Sequence, residues 1–285
     1  MPTLLITGAN RGLGLEFVRQ YAADGWHVIA CCRQPAEADE LQALIADNDN
    51  ITAEQLDVND FSAIDALAEK YQGQPIDILL NNAGIMMTPY QTSVDGFENQ
   101  LATNYIGHFL LTALLLPMIT STAGSRVVNL SSVAHNWSGI QFEDINFENG
   151  YSRKLAYGQS KTACLMFALE LQRRLQAAGK DTLSMAAHPG FSSTQLARNL
   201  PFPLSKVLPM LSSFISQPAA DGALPTLYAA LGDDLKGGEY IGPAGKGERK
   251  GPPTIVNCRS WAKDVAGGQR LWEMSEQMTG IAVAV

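Results

Sequence analysis

Thr7-Gly8-Ala9-Asn10-Arg11-Gly12-Leu13-Gly14 follows directly on the apolar run 3–7 and opens a segment, 13–23, whose apolar residues recur at helical spacing. A strand that ends in closely spaced glycines and restarts as a helix suits an anion. The glycines let the chain turn sharply and bring backbone N–H groups close to a ligand. The helix N-terminus adds free donors and the positive end of its dipole. A diphosphate is such an anion, so Gly8, Asn10, Arg11, Gly12, Leu13 and Gly14 are candidate contacts.

Outward from this turn, strand-like runs at 3–7, 27–31, 52–56, 76–80, 126–130 and 182–187 alternate with helical segments such as 13–23, 61–71 and 156–177. Several runs are apolar almost throughout, as strands covered on both faces are. The alternation predicts an α/β fold, a doubly wound parallel sheet (the Rossmann fold) with helices on both faces. After Gly190 the pattern changes. Pro, Gly and Ser crowd 201–218, helices are expected near 218–231 and 269–278, and a late strand at 239–241 sits among turns. The expectation is a single domain over 1–285, with 1–190 as dinucleotide-binding core and 191–285 forming the substrate side.

Of the 285 residues, 46% are hydrophobic and 17% charged, which is material for a large core. A net charge of -8 speaks against nucleic acid as a partner, since phosphate binding needs a basic face. Cys31, Cys32, Cys164 and Cys258 show no CxxC pair and no metal-ligand spacing, so free thiols in a reducing compartment and no metal are expected. No basic leader precedes the first strand, and the apolar stretch around 109–119 contains Pro117 and is short of a membrane span. These features predict a cytoplasmic protein without membrane insertion.

Which dinucleotide is bound turns on the end of the second strand, Ala30-Cys31-Cys32-Arg33. An acidic side chain there would bind ribose hydroxyls and repel a 2′-phosphate. Arg33 can instead pair with that phosphate, and Arg11 can close on it from the glycine turn, so NADP(H) is the expected cofactor.

Further motifs complete a pattern: Asn81-Asn82-Ala83-Gly84, Asn104, Val127-Val128-Asn129-Leu130-Ser131-Ser132, Tyr157-Gly158-Gln159-Ser160-Lys161, and Pro189-Gly190 with Thr194. Together with 7–14 and Asp57-Val58 they resemble the short-chain dehydrogenase/reductases over nearly the whole length. The resemblance implies oxidoreductase chemistry on CH–OH and C=O groups, with Asn104, Ser132, Tyr157 and Lys161 catalytic. Asp57 and Val58 would touch the adenine, while Asn82, Ala83, Gly84, Tyr157, Lys161, Pro189, Gly190 and Thr194 would join the cofactor site. Ser132 and Tyr157 lie 25 residues apart, a longer interval than classical members keep. That insertion, and Arg270-Leu271-Trp272-Glu273-Met274-Ser275, is similar to the retinol-dehydrogenase-like and protochlorophyllide-reductase-like branch.

The chemistry also follows from the residues. Reducing a ketone needs a hydride at carbon and a proton at oxygen. A free phenol, with a pKa of about 10, is a poor base for the reverse direction. Lys161, four residues after Tyr157, falls on the same helix face, where its ammonium is expected to lower the phenol pKa. Ser132 is expected to donate to the substrate oxygen, with Ser131 as the competing candidate. In the family the matching Asn positions a water beside the lysine, a role carried to Asn104. His108 and His188 read as packing residues; like His135 they lack a second ligand at metal spacing. Glu143, Asp144 and Glu148 read as a solvated loop. Phe191, Leu196, Leu200, Phe202, Leu204, Leu208, Met210 and Phe214, joined by Trp137 and Ile140, either line an apolar pocket or pack into the core. The expected activity is NADP(H)-dependent interconversion of a carbonyl and an alcohol on a moderately hydrophobic small molecule. A non-catalytic NADP-binding sensor or scaffold and a C=C reductase are the alternatives. A homo-oligomer built on the 156–177 helix stays open.

Overall fold

The computed structural model describes residues 1–191 and 218–285. Its centre is β1 (Thr3–Thr7), which alternates at the two-residue period of a strand. Leu5 packs into one apolar cluster with Ile29, Leu79 and Val127. Leu4 and Ile6 pack into the other with Val28, Ala30, Ile78, Leu80 and Val128. Both faces of the strand are therefore dry, which is why its sequence is apolar almost without interruption.

The chain continues through α1 (Gly12–Ala23), β2 (His27–Cys32), α2 (Asp39–Asp47), β3 (Ile51–Gln55), α3 (Phe61–Lys70) and β4 (Ile78–Asn81). It then forms a long helical run, α4 (Asn99–Thr120). After it come β5 (Arg126–Leu130), α5 (Arg153–Ala177), β6 (Leu183–Ala187), α6 (Ala219–Leu231), β7 (Tyr240–Pro243), β8 (Pro253–Ile255) and α7 (Val265–Thr279). Among the described residues the strands form one eight-stranded sheet in the order β3-β2-β1-β4-β5-β6-β7-β8. Helices α1, α2 and α6 cover one face, and α3, α4, α5 and α7 the other. The order reverses between β1 and β4, and such a switch point leaves a crevice at the carboxyl edge for a ligand.

One strand breaks the expected all-parallel pattern. β8 pairs antiparallel with β7, Ile241 opposite Ile255 and Pro243 opposite Pro253. The sequence reading assigned 237–253 to turns around a single strand. Three residues with a leading proline carry little strand signal, and proline is tolerated only because β8 is the edge.

Helix α4 is longer than the 109–119 stretch that stood out in the sequence. Its 22 residues are long and apolar enough to cross a membrane by length and composition alone, but 83% of the apolar window is buried inside the protein. It starts on a fully buried carboxylate, Glu98, which accepts from the backbone N–H groups of Gln100 and Leu101. Ala102–Ile106 then form a π turn. Gly107 follows, pressed against the Val58 carbonyl, where any side chain would clash.

Helix α7 lies over α4 and α5. Its Trp272 packs edge-on to Phe109 at 5.2 Å between ring centroids and tilted on Phe167 at 5.8 Å, with the Arg174 guanidinium 4.3 Å above its ring. Much of the helix face considered for subunit pairing thus carries the chain's own C-terminal helix.

Candidate active site

The residues singled out in the sequence gather at one edge, the carboxyl ends of the strands. Gly8–Gly14 follow β1, Arg33 follows β2, Asp57 and Val58 follow β3, and Asn82–Gly84 follow β4. Ser132 follows β5, Pro189 and Gly190 follow β6, and α5 brings Tyr157 and Lys161 to the same edge. Thr194 and the apolar residues from Leu196 to Phe214 lie outside the described residues.

At the switch point the glycine turn is held by Thr7, the first residue of the motif but not among the candidate contacts. Its hydroxyl oxygen accepts from the backbone N–H groups of Asn82 (3.0 Å) and Ala83 (2.9 Å). The Asn82 amide donates back to the Thr7 carbonyl at 2.7 Å. Gly14 rests on the Gly8 carbonyl so closely that a Cβ would run into it. Helix α1 begins at Arg11 with no side-chain cap and no acidic residue in its first turn. Such a helix N-terminus, with no acidic residue in its first turn, fits a diphosphate. Arg33 is exposed and forms no ion pair among the described residues. Asp57 accepts from the Asn59 backbone N–H at 3.0 Å, above a buried Val58. Each of these features suits the NADP(H) expected from the sequence.

The chemical end is drier. Tyr157 and Lys161 are 6% and 5% exposed. Burial pushes the Tyr157 phenol up to about 12, and a hydrogen bond from the Ser132 side chain draws it back. Ser131 points the other way, donating to the Lys161 carbonyl at 2.7 Å. Of the two serines, Ser132 is the one that lowers the phenol's pKa.

Two expectations about the site meet the following geometry. The Lys161 ammonium, expected to lower the phenol pKa, donates to the Leu130 carbonyl at 2.8 Å, and burial lowers its own pKa. The phenol is raised because desolvation disfavours the phenolate. Asn104 was expected to hold a water beside Lys161. Its side chain bonds to protein groups: Nδ2 donates to Ser160 Oγ (2.8 Å) and the Ile85 carbonyl (3.0 Å), and Oδ1 accepts from the Ile85 N–H (2.8 Å). Ser160 in turn donates to the Tyr157 carbonyl at 2.8 Å. Asn104, on the π turn, is a strut against the part of α5 that carries Tyr157 and Lys161.

His108 joins the two ends. Its Nδ1 lies 3.1 Å from the Asn104 carbonyl, an acceptor, so that nitrogen carries the hydrogen. Nε2 then accepts from the Thr7 hydroxyl at 2.8 Å. Burial holds this imidazole down at about 4. The residue is the buried helix histidine the sequence implied, with a linking role that spacing did not reveal.

The insertion after Ser132 is pinned by Glu98 and Gln100. The Tyr151 hydroxyl lies 3.0 Å from Glu98 Oε1 and accepts from the Gln100 amide at 2.8 Å. Sequence gave no sign of this, because the partners are more than fifty positions apart. Trp137 is exposed, its ring centroid 6.0 Å from that of Tyr157, whereas Ile140 packs towards the core. Asp144 caps the N–H groups of Glu148 and Asn149, and Glu143 pairs with Arg270 at 2.7 Å. His188 is fully buried, its ring tilted against Tyr240 at 5.1 Å between centroids, and lies 3.0 Å from Glu248.

Residues 2–202 match the short chain dehydrogenase family. Retinol dehydrogenase 12 of Homo sapiens is 37% identical over 285 residues, an alignment covering 98% of this chain and 86% of the relative. A crystal structure of an uncharacterized protein from Mycobacterium Paratuberculosis superposes with a TM-score of 0.84 at 40% identity, over 100% of this chain and 96% of the other. NADPH-bound carbonyl reductase from chicken fatty liver superposes with a TM-score of 0.63 at 26% identity, over 84% of this chain and 91% of that one.

Proposed function

The chain belongs to the short chain dehydrogenase family, and on that premise we propose that it interconverts a carbonyl and an alcohol on a moderately hydrophobic small molecule, using NADP(H). The observation that carries this reading is the convergence of Ser132, Tyr157 and Lys161 on the same sheet edge as the N-terminus of α1, with Tyr157 and Lys161 buried there. The carbonyl and retinol chemistry named for the two relatives supports the substrate class. The exposed indole of Trp137 beside Tyr157 agrees with an apolar substrate.

Bound NADPH would supply the hydride to the carbonyl carbon. Ser132 donates a hydrogen bond to the substrate oxygen and holds it at the Tyr157 hydroxyl. Tyr157, kept protonated by burial, gives its proton to that oxygen as the alcohol forms and regains one from solvent. Lys161 keeps further N–H donors beyond its bond to Leu130, suited to ribose hydroxyls. Asn104 fixes the helix that carries both. The glycine turn, Asn82–Gly84, Asp57, Val58, Pro189, Gly190 and Thr194 would enclose the dinucleotide, and Arg33 with Arg11 its 2′-phosphate.

The test is NADPH consumption with a panel of aromatic and medium-chain aldehydes and ketones, with products identified. Alcohol formation matched to NADPH loss is expected. No turnover with any member of the panel, or reduction of an enone at its C=C bond alone, overturns the reading.

A further inference from the structure

His135 lies three residues beyond Ser132 in the 3-10 turn Val133–Asn136 and has so far no part in the chemistry. It is 1% exposed. Its Nδ1 is 2.8 Å from the Ser132 carbonyl, which can only accept, so the hydrogen sits on Nδ1. The same carbonyl also takes the His135 backbone N–H at 3.0 Å, and Ser132 Oγ accepts from the Ala134 N–H at 3.1 Å. With Oγ accepting from the turn, its own O–H remains to be donated.

The imidazole is clamped in turn. Its ring stands edge-on to Tyr240 at 5.3 Å. Its backbone carbonyl accepts from Thr162 Oγ1 (3.1 Å) and Trp261 Nε1 (3.3 Å). Thr162 is next to Lys161 on α5, so β5, α5, β7 and the turn Ser260–Lys263 converge on this residue. One atom is unsatisfied. Among the described residues, His135 Nε2 is buried with no hydrogen-bond partner. A packing role alone would favour an apolar ring, because a buried polar atom without a partner is costly.

We propose that His135 is a positioning residue for Ser132: its Nδ1–H, held on the Ser132 carbonyl, fixes the turn that aims the serine hydroxyl at the substrate oxygen and the Tyr157 phenol. This inference rests on the reading of Ser132 and Tyr157 as the oxygen-binding pair.

The experiment compares His135→Asn, His135→Gln and His135→Leu, with Ser132→Ala and Tyr157→Phe as controls, using NADPH and 4-nitrobenzaldehyde as the carbonyl probe. The Asn amide reaches the place of Nδ1, whereas Gln reaches the place of Nε2. His135→Asn should keep kcat within about threefold of wild type. The Gln and Leu variants should lose roughly ten- to a hundredfold in kcat, as small misplacements of reacting groups do, while the dissociation constant for NADPH stays put. Equal activity in all three, equal loss in all three, or a loss confined to NADPH affinity overturns the proposal. Imidazole ¹⁵N NMR on the unmutated protein needs no variant to fold, and must show His135 neutral with hydrogen on Nδ1. An Nε2–H tautomer rejects it. Should Ser132→Ala and Tyr157→Phe be fully active, the proposed function fails first, whatever the His135 series shows.

Discussion

The turn after β1 and the turn after β5 share a plan and differ in how wet they are. In each, a hydroxyl at the strand end takes backbone N–H groups, Thr7 from Asn82 and Ala83, Ser132 from Ala134. Around the first, the functional groups are backbone donors and exposed cations such as Arg33, which water and salt attenuate. Around the second, Tyr157 and Lys161 are almost wholly desolvated. On the proposed function, binding would draw on the shape of the main chain, and proton transfer on side chains whose pKa values burial has moved. The sharpest way to separate the two is Tyr157→Phe. Turnover should fall by on the order of a hundred- to ten-thousandfold, the share a positioned acid supplies, while NADPH titrates as in wild type. Near-full kcat, or a parallel loss of NADPH binding, would dissolve the contrast.

His108 couples the two ends, and its effect should appear in stability. Its imidazole pKa falls from 6.5 to about 4 on folding. A depressed histidine leaves the native state refusing a proton that the unfolded chain accepts. Stability is therefore whole above the unfolded pKa and declines as pH falls towards the folded one. The decline between about pH 7 and about pH 4 should reach roughly 3 kcal/mol from this residue. Urea unfolding at those two pH values should show His108→Asn losing most of that component. An unchanged pH dependence in the variant would assign it to other groups.

A smaller effect belongs to the wet end. Arg33→Asp replaces an exposed cation with a carboxylate. Preference for NADPH over NADH should drop by about ten- to a hundredfold, the worth of a charge-assisted hydrogen bond of about 1.5–3 kcal/mol. The ratio of kcat/KM for the two cofactors measures it directly, and an unaltered ratio removes Arg33 from 2′-phosphate recognition.

What the sequence disclosed follows the same division. Strands such as 3–7 and 126–130 were legible to the residue because both faces are dry and the pattern is local. The glycine turn was legible because its geometry needs particular residue types at adjacent positions. The β8 edge strand was not, with three residues and a proline. Nor was the π turn at Ala102–Ile106, which inserts one residue into a helix without changing its composition. Lys161 shows what spacing leaves out. Four residues after Tyr157 is the right interval for a shared helix face, and the length of its side chain also lets the ammonium reach the Leu130 carbonyl. Spacing fixes where a Cβ points, and partners from β5 decide where a lysine ends.

The same distinction gives the smallest and most selective expectation. Ser131 and Ser132 are adjacent in an extended chain, so their side chains take opposite faces. Ser131 donates to the Lys161 carbonyl at 2.7 Å and is buried, whereas the Ser132 hydroxyl acts on the phenol. Ser131→Ala removes one buried hydrogen bond, about 1 kcal/mol of stability, and should change kcat by less than about fivefold, since no reacting atom loses a donor. Ser132→Ala should cost about a hundredfold in kcat, the penalty of deleting a donor to the developing charge, and also loses its cap on the Ala134 N–H. Measured side by side, the rate loss should fall on Ser132→Ala alone. The reverse ranking would mean that the strand end is rotated in solution and that Ser131 faces the substrate.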